Sequence, residues 1–145
     1  MRQPAMTAAE VKDYLIEVFP QTAHLFEIDE IAPMRARVRM LTGPEHLRPG
    51  GTVSGPTLFT LADCAFYVAT LAMIGRVALT VTTNCSINFM RKPAPGALVC
   101  EARILKLGKL LSVGDATIWS EGASEPAAHA ALTYAIPPGR GENVG

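Results

Sequence analysis

A single carboxylate, Asp63, lies in an otherwise apolar or hydroxylic stretch that follows a glycine-rich segment. This segment begins at Arg48 and reads Arg-Pro-Gly-Gly-Thr-Val-Ser-Gly-Pro. Its glycines allow tight turns and a close approach of the backbone to a ligand. A carboxylate in apolar surroundings must be neutralised, hydrogen-bonded or used in chemistry, so Asp63 is the first candidate for a reactive group.

The end of the glycine-rich segment has the signals of a helix start. Ser54 is a good N-cap, and Pro56 fits the first turn because the N–H that it lacks has no partner there. The first amides of a helix point outward and favour negative charge, so the Gly55 N–H could stabilise an oxyanion. The Thr57 N–H is a candidate second donor.

The remaining elements follow from residue spacing. A capping box at Thr7–Glu10 starts a first helix, which Pro20 ends. Alternating residues from about 23 to 41 predict a hairpin that turns near Ala32 and Pro33. The helix from Gly55 to about residue 74 is apolar on every side and should be buried. Strands are predicted over 77–89, 97–106, 110–120 and 127–136 as a four-strand meander, and the apolar start of the first suits a sheet centre.

These elements form one α+β domain over residues 1–145, with an antiparallel sheet curled around one helix. Residues 137–145 should be a disordered tail. The formal net charge of +0 gives no reason to expect a nucleic acid or an anionic membrane as partner. The longest apolar run contains Asp63, so no membrane span is expected. The three cysteines lack metal or redox spacing, which predicts no metal site and a cytoplasmic location.

The order of elements, together with Gly-x-Val-Ser-Gly-Pro and Leu61-Ala62-Asp63, resembles the hotdog-fold acyl-CoA thioesterases of the phenylacetic-acid-degradation type. The resemblance covers about residues 32–137. Further matching segments are Thr82 with Ile87-Asn88-Phe89, Arg91-Lys92-Pro93, Glu101-Ala102-Arg103 and Leu107-Gly108-Lys109. The resemblance implies a hotdog fold, acyl-CoA as substrate, and no cofactor besides the coenzyme A of the substrate. It also implies a homodimer or homotetramer in which one subunit's helix and another's loop form each site.

The resemblance assigns roles to three residues. The Gly55 N–H would polarise the thioester carbonyl, Asp63 would act as base or nucleophile, and Thr82 would help to place the water. The family loop usually reads His-Gly-Gly, whereas this chain has Ser54, Gly55 and Pro56 at those places. Arg48 replaces an asparagine, and it could either pair with Asp63 across a subunit boundary or meet a negative group on the substrate.

Substrate contacts are expected at two further sets of residues. The acyl group and reacting centre would meet Pro56, Thr57, Phe59, Phe66 and Tyr67. Coenzyme A would meet the turns that contain Arg91, Lys92, Gly108 and Lys109, because basic side chains suit phosphates. His46 is expected at the surface.

Two alternatives stay open at this stage. A dehydratase or hydratase on the same fold would need a histidine beside its carboxylate, and neither the buried helix nor the loop motif contains one. A non-catalytic acyl-CoA binding module is kept in play because Ser54 and Arg48 replace the family's histidine and asparagine.

Overall fold

The structure is a computed structural model, and it describes residues 2–139. Its elements are α1 (Ala8–Val18), α2 (Pro20–Ala23), β1 (Glu27–Ala32), β2 (Arg35–Leu41), α3 (Gly55–Ile74), β3 (Val81–Phe89), β4 (Ala97–Leu107), β5 (Leu111–Ser120) and β6 (Ala128–Ala135). A short 3₁₀ helix, Pro44–His46, interrupts the loop after β2. The predicted hairpin and both predicted long helices are confirmed.

The first helix begins at the predicted capping box. The Thr7 hydroxyl accepts the Glu10 N–H, and the Glu10 carboxylate accepts the Thr7 N–H. The helix ends at Val18, and Pro20 then starts the one-turn helix α2. The chain therefore changes direction at Phe19, between the two helices.

Six antiparallel strands form one sheet in the order β1-β2-β4-β5-β6-β3. Strands β4, β5 and β6 do form a meander, but β3 pairs with β6 and lies at an edge among the described residues. The prediction of a four-strand meander, with its first strand suited to a sheet centre, was therefore wrong for β3. A strand after a long helix can join either end of a sheet, and local sequence does not decide which.

The strand β3 also starts later than predicted, at Val81 rather than at residue 77. Side chains satisfy the backbone of Ala78, because its N–H donates to the Tyr14 hydroxyl and its carbonyl accepts the Tyr67 hydroxyl. Residues 77–80 form a turn instead, closed by a bond from the Thr80 N–H to the Val77 carbonyl.

The helix α3 packs across the inner face of the sheet. It is long and apolar enough to cross a bilayer, yet 78% of its most apolar window is buried in the protein, so it is a core helix. Gly114 on β5 permits the close packing, since a Cβ there would lie 2.0 Å from the Arg103 carbonyl oxygen and 2.7 Å from the Phe66 ring. One antiparallel sheet curled around one long helix is the hotdog fold, as expected.

The chain leaves the sheet after β6. Residues 137–139 belong to no strand or helix, and the rest of the predicted tail, residues 140–145, lies outside the described residues.

Candidate active site

The Asp63 carboxylate faces the sheet, where two hydroxyl groups bind the same oxygen. Thr82 Oγ1 donates to Asp63 Oδ1 at 2.7 Å, and the Tyr134 hydroxyl lies 2.6 Å from that oxygen. Thr82 and Tyr134 are directly opposite each other in the β3–β6 ladder. Side chains opposite one another project from the same face of a sheet, which explains why both reach the same carboxylate.

Tyr134 is the main site residue that sequence reasoning missed. Its side chain is 3% exposed, and its ring packs between those of Phe66 and Tyr67, with centroids 5.4 and 5.9 Å away. Burial raises the pKa of Tyr134, and the charge of Asp63 raises it further, so the phenol stays a proton donor. The sequence did contain a signal for it. Tyr134 falls on the alternating positions of β6 that face the core, and a buried tyrosine hydroxyl needs a hydrogen-bond partner.

A cleft of about 640 Å³ opens beside Asp63. Its walls come from the α1–α2 junction, from α3 and from the approach to β3, namely Glu17, Val18, Phe19, Asp63, Cys64, Tyr67, Ala78, Leu79, Thr80, Val81, Thr82 and Tyr134. The charged side chains in this lining, Glu17 and Asp63, are both acidic. Phe19 packs edge-on against Tyr67 at 6.4 Å. The sequence did not single out Glu17 or Phe19.

Cys64 lines the cleft next to Asp63 but is not a suitable nucleophile. Burial, with a smaller contribution from the charge of Asp63, raises the pKa of its thiol to about 12. The thiol is therefore protonated near neutral pH, and a protonated thiol is a poor nucleophile. Asp63 is the reactive candidate in this part of the cleft.

The N-terminus of α3 forms the second part of the candidate site. Ser54 caps the helix as predicted, its Oγ accepting the Thr57 N–H at 3.3 Å and lying 2.8 Å from the Thr57 hydroxyl. The prediction of Thr57 as a second oxyanion donor was therefore wrong, since this N–H is already used. Among residues 2–139, the Gly55 N–H has no hydrogen-bond partner. This amide can therefore donate a hydrogen bond to an oxygen atom of a ligand.

His46 supports this loop and is not a surface histidine as expected. Its side chain is only 16% exposed, and its Nδ1 accepts the Gly43 N–H at 2.8 Å. Its carbonyl oxygen accepts the Ser54 N–H at 2.8 Å. The imidazole therefore anchors the loop that presents Gly55.

Gly55 and Asp63 do not meet within one chain. They are separated by eight positions on α3, which corresponds to about 12 Å along a helix that rises about 1.5 Å per residue. One thioester carbonyl cannot bind the Gly55 amide and contact the Asp63 carboxylate over that distance. The two parts of the site are thus built at different places on the same helix.

Most of the other residues predicted for the reacting centre do not line the cleft beside Asp63. Arg48 is exposed and forms no ion pair within residues 2–139. Phe66 is fully buried and contributes to the core, so the prediction that it binds substrate was wrong. Pro56 and Phe59 are exposed and do not line the cleft of their own chain, whereas Tyr67 does.

The predicted coenzyme A contacts lie at opposite ends of β3. Arg91 follows the end of the strand, where it donates to the Pro126 carbonyl at 2.6 Å and pairs with Glu125 at 3.2 Å. Lys92 beside it is exposed. Gly108 and Lys109 line a shallow pocket at the β4–β5 turn, which lies beside the start of β3.

Comparison with known proteins identifies the class that this fold and site define. The sequence profile of the thioesterase superfamily matches residues 50–127, which is more than half of the chain. The chain belongs to the thioesterase superfamily.

Individual relatives agree with this assignment. A protein of Archaeoglobus fulgidus, provisionally named an esterase, is 35% identical over 104 residues, covering 68% of this chain; the chain spans 63% of that protein's length. A crystal structure from Silicibacter sp. TM1040, provisionally named a thioesterase, is 48% identical with a TM-score of 0.87, covering 94% of this chain and 96% of the other.

Two more distant structures share the fold. The PaaI protein of the Escherichia coli phenylacetic acid degradation operon is 24% identical with a TM-score of 0.79, covering 90% of this chain and 93% of its own. Streptococcus mutans smu.793, solved with acetyl-CoA, is 22% identical with a TM-score of 0.70, covering 77% and 88% of the two chains.

Proposed function

We propose that this protein hydrolyses acyl-CoA thioesters to a free acid and coenzyme A. The observation that carries the proposal is the Asp63 carboxylate, held by two hydroxyl groups at the wall of a largely apolar cleft. Superfamily membership supports the class of reaction. Asp63 would be the base or nucleophile, and the Gly55 N–H of a second copy would bind the carbonyl oxygen.

The edge strand β3 indicates how a second copy would bind. Asp63 lies beside Thr82 at the start of β3, while a Cβ at Gly55 would lie 3.5 Å from the ring of Phe89 at its end. Antiparallel pairing of two β3 edges would bring the start of one strand to the end of the other. Exposed apolar side chains on this strand, Val81 at 56% and Phe89 at 52%, support such pairing.

The reaction would proceed through a tetrahedral intermediate. Asp63 removes a proton from water, the water oxygen bonds to the thioester carbon, and the carbonyl electrons move to the oxygen held by Gly55. When the intermediate collapses, the C–S bond breaks, and the sulfur receives the proton from Asp63. Direct attack by Asp63 would give a mixed anhydride that water then hydrolyses, with the same overall stoichiometry.

The cleft favours uncharged acyl groups, because its walls are mostly apolar and its charged side chains are acidic. The acetyl-CoA bound to the distant S. mutans neighbour supports a coenzyme A thioester as ligand. In the paired arrangement, Arg91 and Lys92 of one copy would approach Lys109 of the other. These cations would then surround the phosphates of coenzyme A.

Thiol release from a panel of acyl-CoA substrates tests the proposal. Wild-type protein should release coenzyme A, and Asp63→Asn should not. Measurable acyl-CoA binding without thiol release would instead support a non-catalytic binding module. This alternative is retained because Ser54 and Arg48 replace the family's histidine and asparagine. The dehydratase alternative is disfavoured, since no histidine of the described residues lines the cleft.

Mixing two inactive variants tests the shared site. Asp63→Asn and Gly55→Pro subunits, refolded together, should regain about a quarter of wild-type activity, since half of the dimers are mixed and each has one intact site. A single turnover of wild-type protein in ¹⁸O-water tests the nucleophilic route, because Asp63 acquires the label only when water attacks the Asp63 carbonyl of a mixed anhydride.

A further inference from the structure

The two hydroxyl groups at Asp63 make its carboxylate oxygens unequal. Both Thr82 Oγ1 and the Tyr134 hydroxyl bind Oδ1, and within residues 2–139 no donor binds Oδ2. The Tyr134 hydroxyl is also 2.9 Å from the Asp63 backbone carbonyl. A phenol has one proton, and the charged carboxylate oxygen at 2.6 Å is the stronger acceptor.

We infer that Oδ2 is the reacting oxygen of Asp63 and that Tyr134 is a positioning residue, which binds Oδ1 and thereby directs Oδ2 into the cleft. This inference rests on the proposed hydrolysis and adds to it a residue and an atom. The terminal torsion of an aspartate is broad and roughly two-fold, so an unrestrained carboxylate would exchange its oxygens. Two donors on one oxygen prevent that exchange.

Tyr134 is well suited to this task because its own position is determined by packing. Its ring lies between Phe66 and Tyr67, it is nearly fully buried, and it is aligned with Thr82 across the β3–β6 ladder. Both donors therefore come from the rigid sheet, while the acid comes from α3. The carboxylate is held where these two layers meet.

The chain offers a matched control in Tyr67. Its hydroxyl donates to the Ala78 carbonyl at 2.7 Å, and the side chain lines the same cleft without bonding to Asp63. Tyr67→Phe and Tyr134→Phe each remove one hydroxyl from the same stacked pair of rings. Only the second change removes a donor from the carboxylate.

The first test compares the kinetics of thiol release. Tyr134→Phe should lower kcat about tenfold with KM nearly unchanged, because a hydrogen bond to a charged group is lost. Thr82→Val should lower kcat in the same way, since it removes the other donor to Oδ1. A kcat of Tyr134→Phe equal to that of Tyr67→Phe, or a change in KM alone, would overturn the inference.

A second test does not need turnover. The chain has four aspartates, Asp13, Asp29, Asp63 and Asp115, so carboxyl-¹³C labelling gives few signals, and Asp63→Asn identifies the relevant one. At neutral pH the chemical shift of that signal should differ from the wild-type value in Tyr134→Phe and should match it in Tyr67→Phe, since only the first change removes a hydrogen bond from the carboxylate. Equal chemical shifts in all three proteins would refute the positioning role. If the shifts differ but wild type releases no thiol, the hydrogen-bond geometry stands while hydrolysis and the assignment of a reacting oxygen both fail.

Discussion

The two ends of α3 contribute to the candidate site in different ways. At the Asp63 end, one chain supplies the acid, both hydroxyl donors and the walls of a cleft. At the Gly55 end, the same chain supplies a capped helix start and an anchored loop, but its amide has no partner within the described residues. The acid is therefore held by its own chain, whereas the Gly55 amide is left available to a ligand.

The difference has an energetic cause. A carboxylate in a mostly apolar cleft must be hydrogen-bonded by its own fold, since leaving it without partners costs several kcal/mol. A free N–H at a partly exposed helix start costs little, because water can satisfy it until a ligand does. Each end can therefore be disabled separately, and the expected losses differ in size.

The largest loss should follow from removing the acid. Asp63→Asn keeps the shape of the side chain but removes its basicity, so kcat should fall by about 10²–10⁴-fold. Binding of an acyl-CoA, measured by calorimetry, should persist. Full thiol release by this variant would place the catalytic group elsewhere.

Removing the amide at the other end should cost somewhat less. Gly55→Pro deletes the N–H, and loss of one oxyanion donor typically lowers kcat by about 10²–10³-fold. Gly55→Ala is the matched control, because its Cβ would meet only the Phe89 ring at 3.5 Å, an ordinary contact. Circular dichroism checks that both variants fold, and equal activities would exclude the Gly55 amide as a donor.

Disrupting the edge strand β3 should separate the Asp63 of one copy from the Gly55 of another. Phe89→Lys places a charge on the exposed apolar end of β3, which should weaken the proposed dimer at least about tenfold. Leu105→Lys changes a comparably exposed side chain, 61% against 52%, away from that edge. Light scattering and activity should fall together for Phe89→Lys and recover at higher protein concentration. Activity that stays constant on dilution to monomers would contradict a shared site.

The cleft wall at the end of α1 should affect substrate choice. Phe19→Ala removes an aromatic side chain that packs on Tyr67, so kcat/KM for longer acyl groups should fall by about tenfold. Acetyl-CoA, which would not reach this wall, should be affected much less. Equal losses across chain lengths would mean that Phe19 supports the fold and not the acyl group.

The smallest effect concerns a carboxylate outside both parts of the site. Burial alone would raise the pKa of Asp115, but hydrogen bonds and charges from Arg103 and His129 hold it below its ordinary value. Such a group adds stability above the unfolded-state pKa of about 3.9, and this stability is lost as pH falls through the lower folded-state value. Asp115→Asn should thus cost less than about 1 kcal/mol near pH 7 and nothing in strong acid, with kcat unchanged. Denaturant titrations at the two pH values check this.

The local sequence was sufficient to predict most helices and strands and some of the residues of the candidate site. The cap at Ser54, the helix Gly55–Ile74 and the capping box at Thr7 depend on residues only a few positions apart, so their spacing predicts them. The family resemblance also named Thr82, as a residue that helps to place the water, and in the structure its hydroxyl binds Asp63 itself.

Contacts between distant segments were decided only by the tertiary structure. Tyr134 reaches Asp63 because β6 pairs with β3, and strand order depends on long-range packing that no local pattern encodes. The use of the Thr57 amide by Ser54 and the burial of Phe66 likewise emerge from geometry. The sequence determined which groups could react; the sheet order determined which of them meet, because side chains separated by 71 positions come together only once the strands have paired.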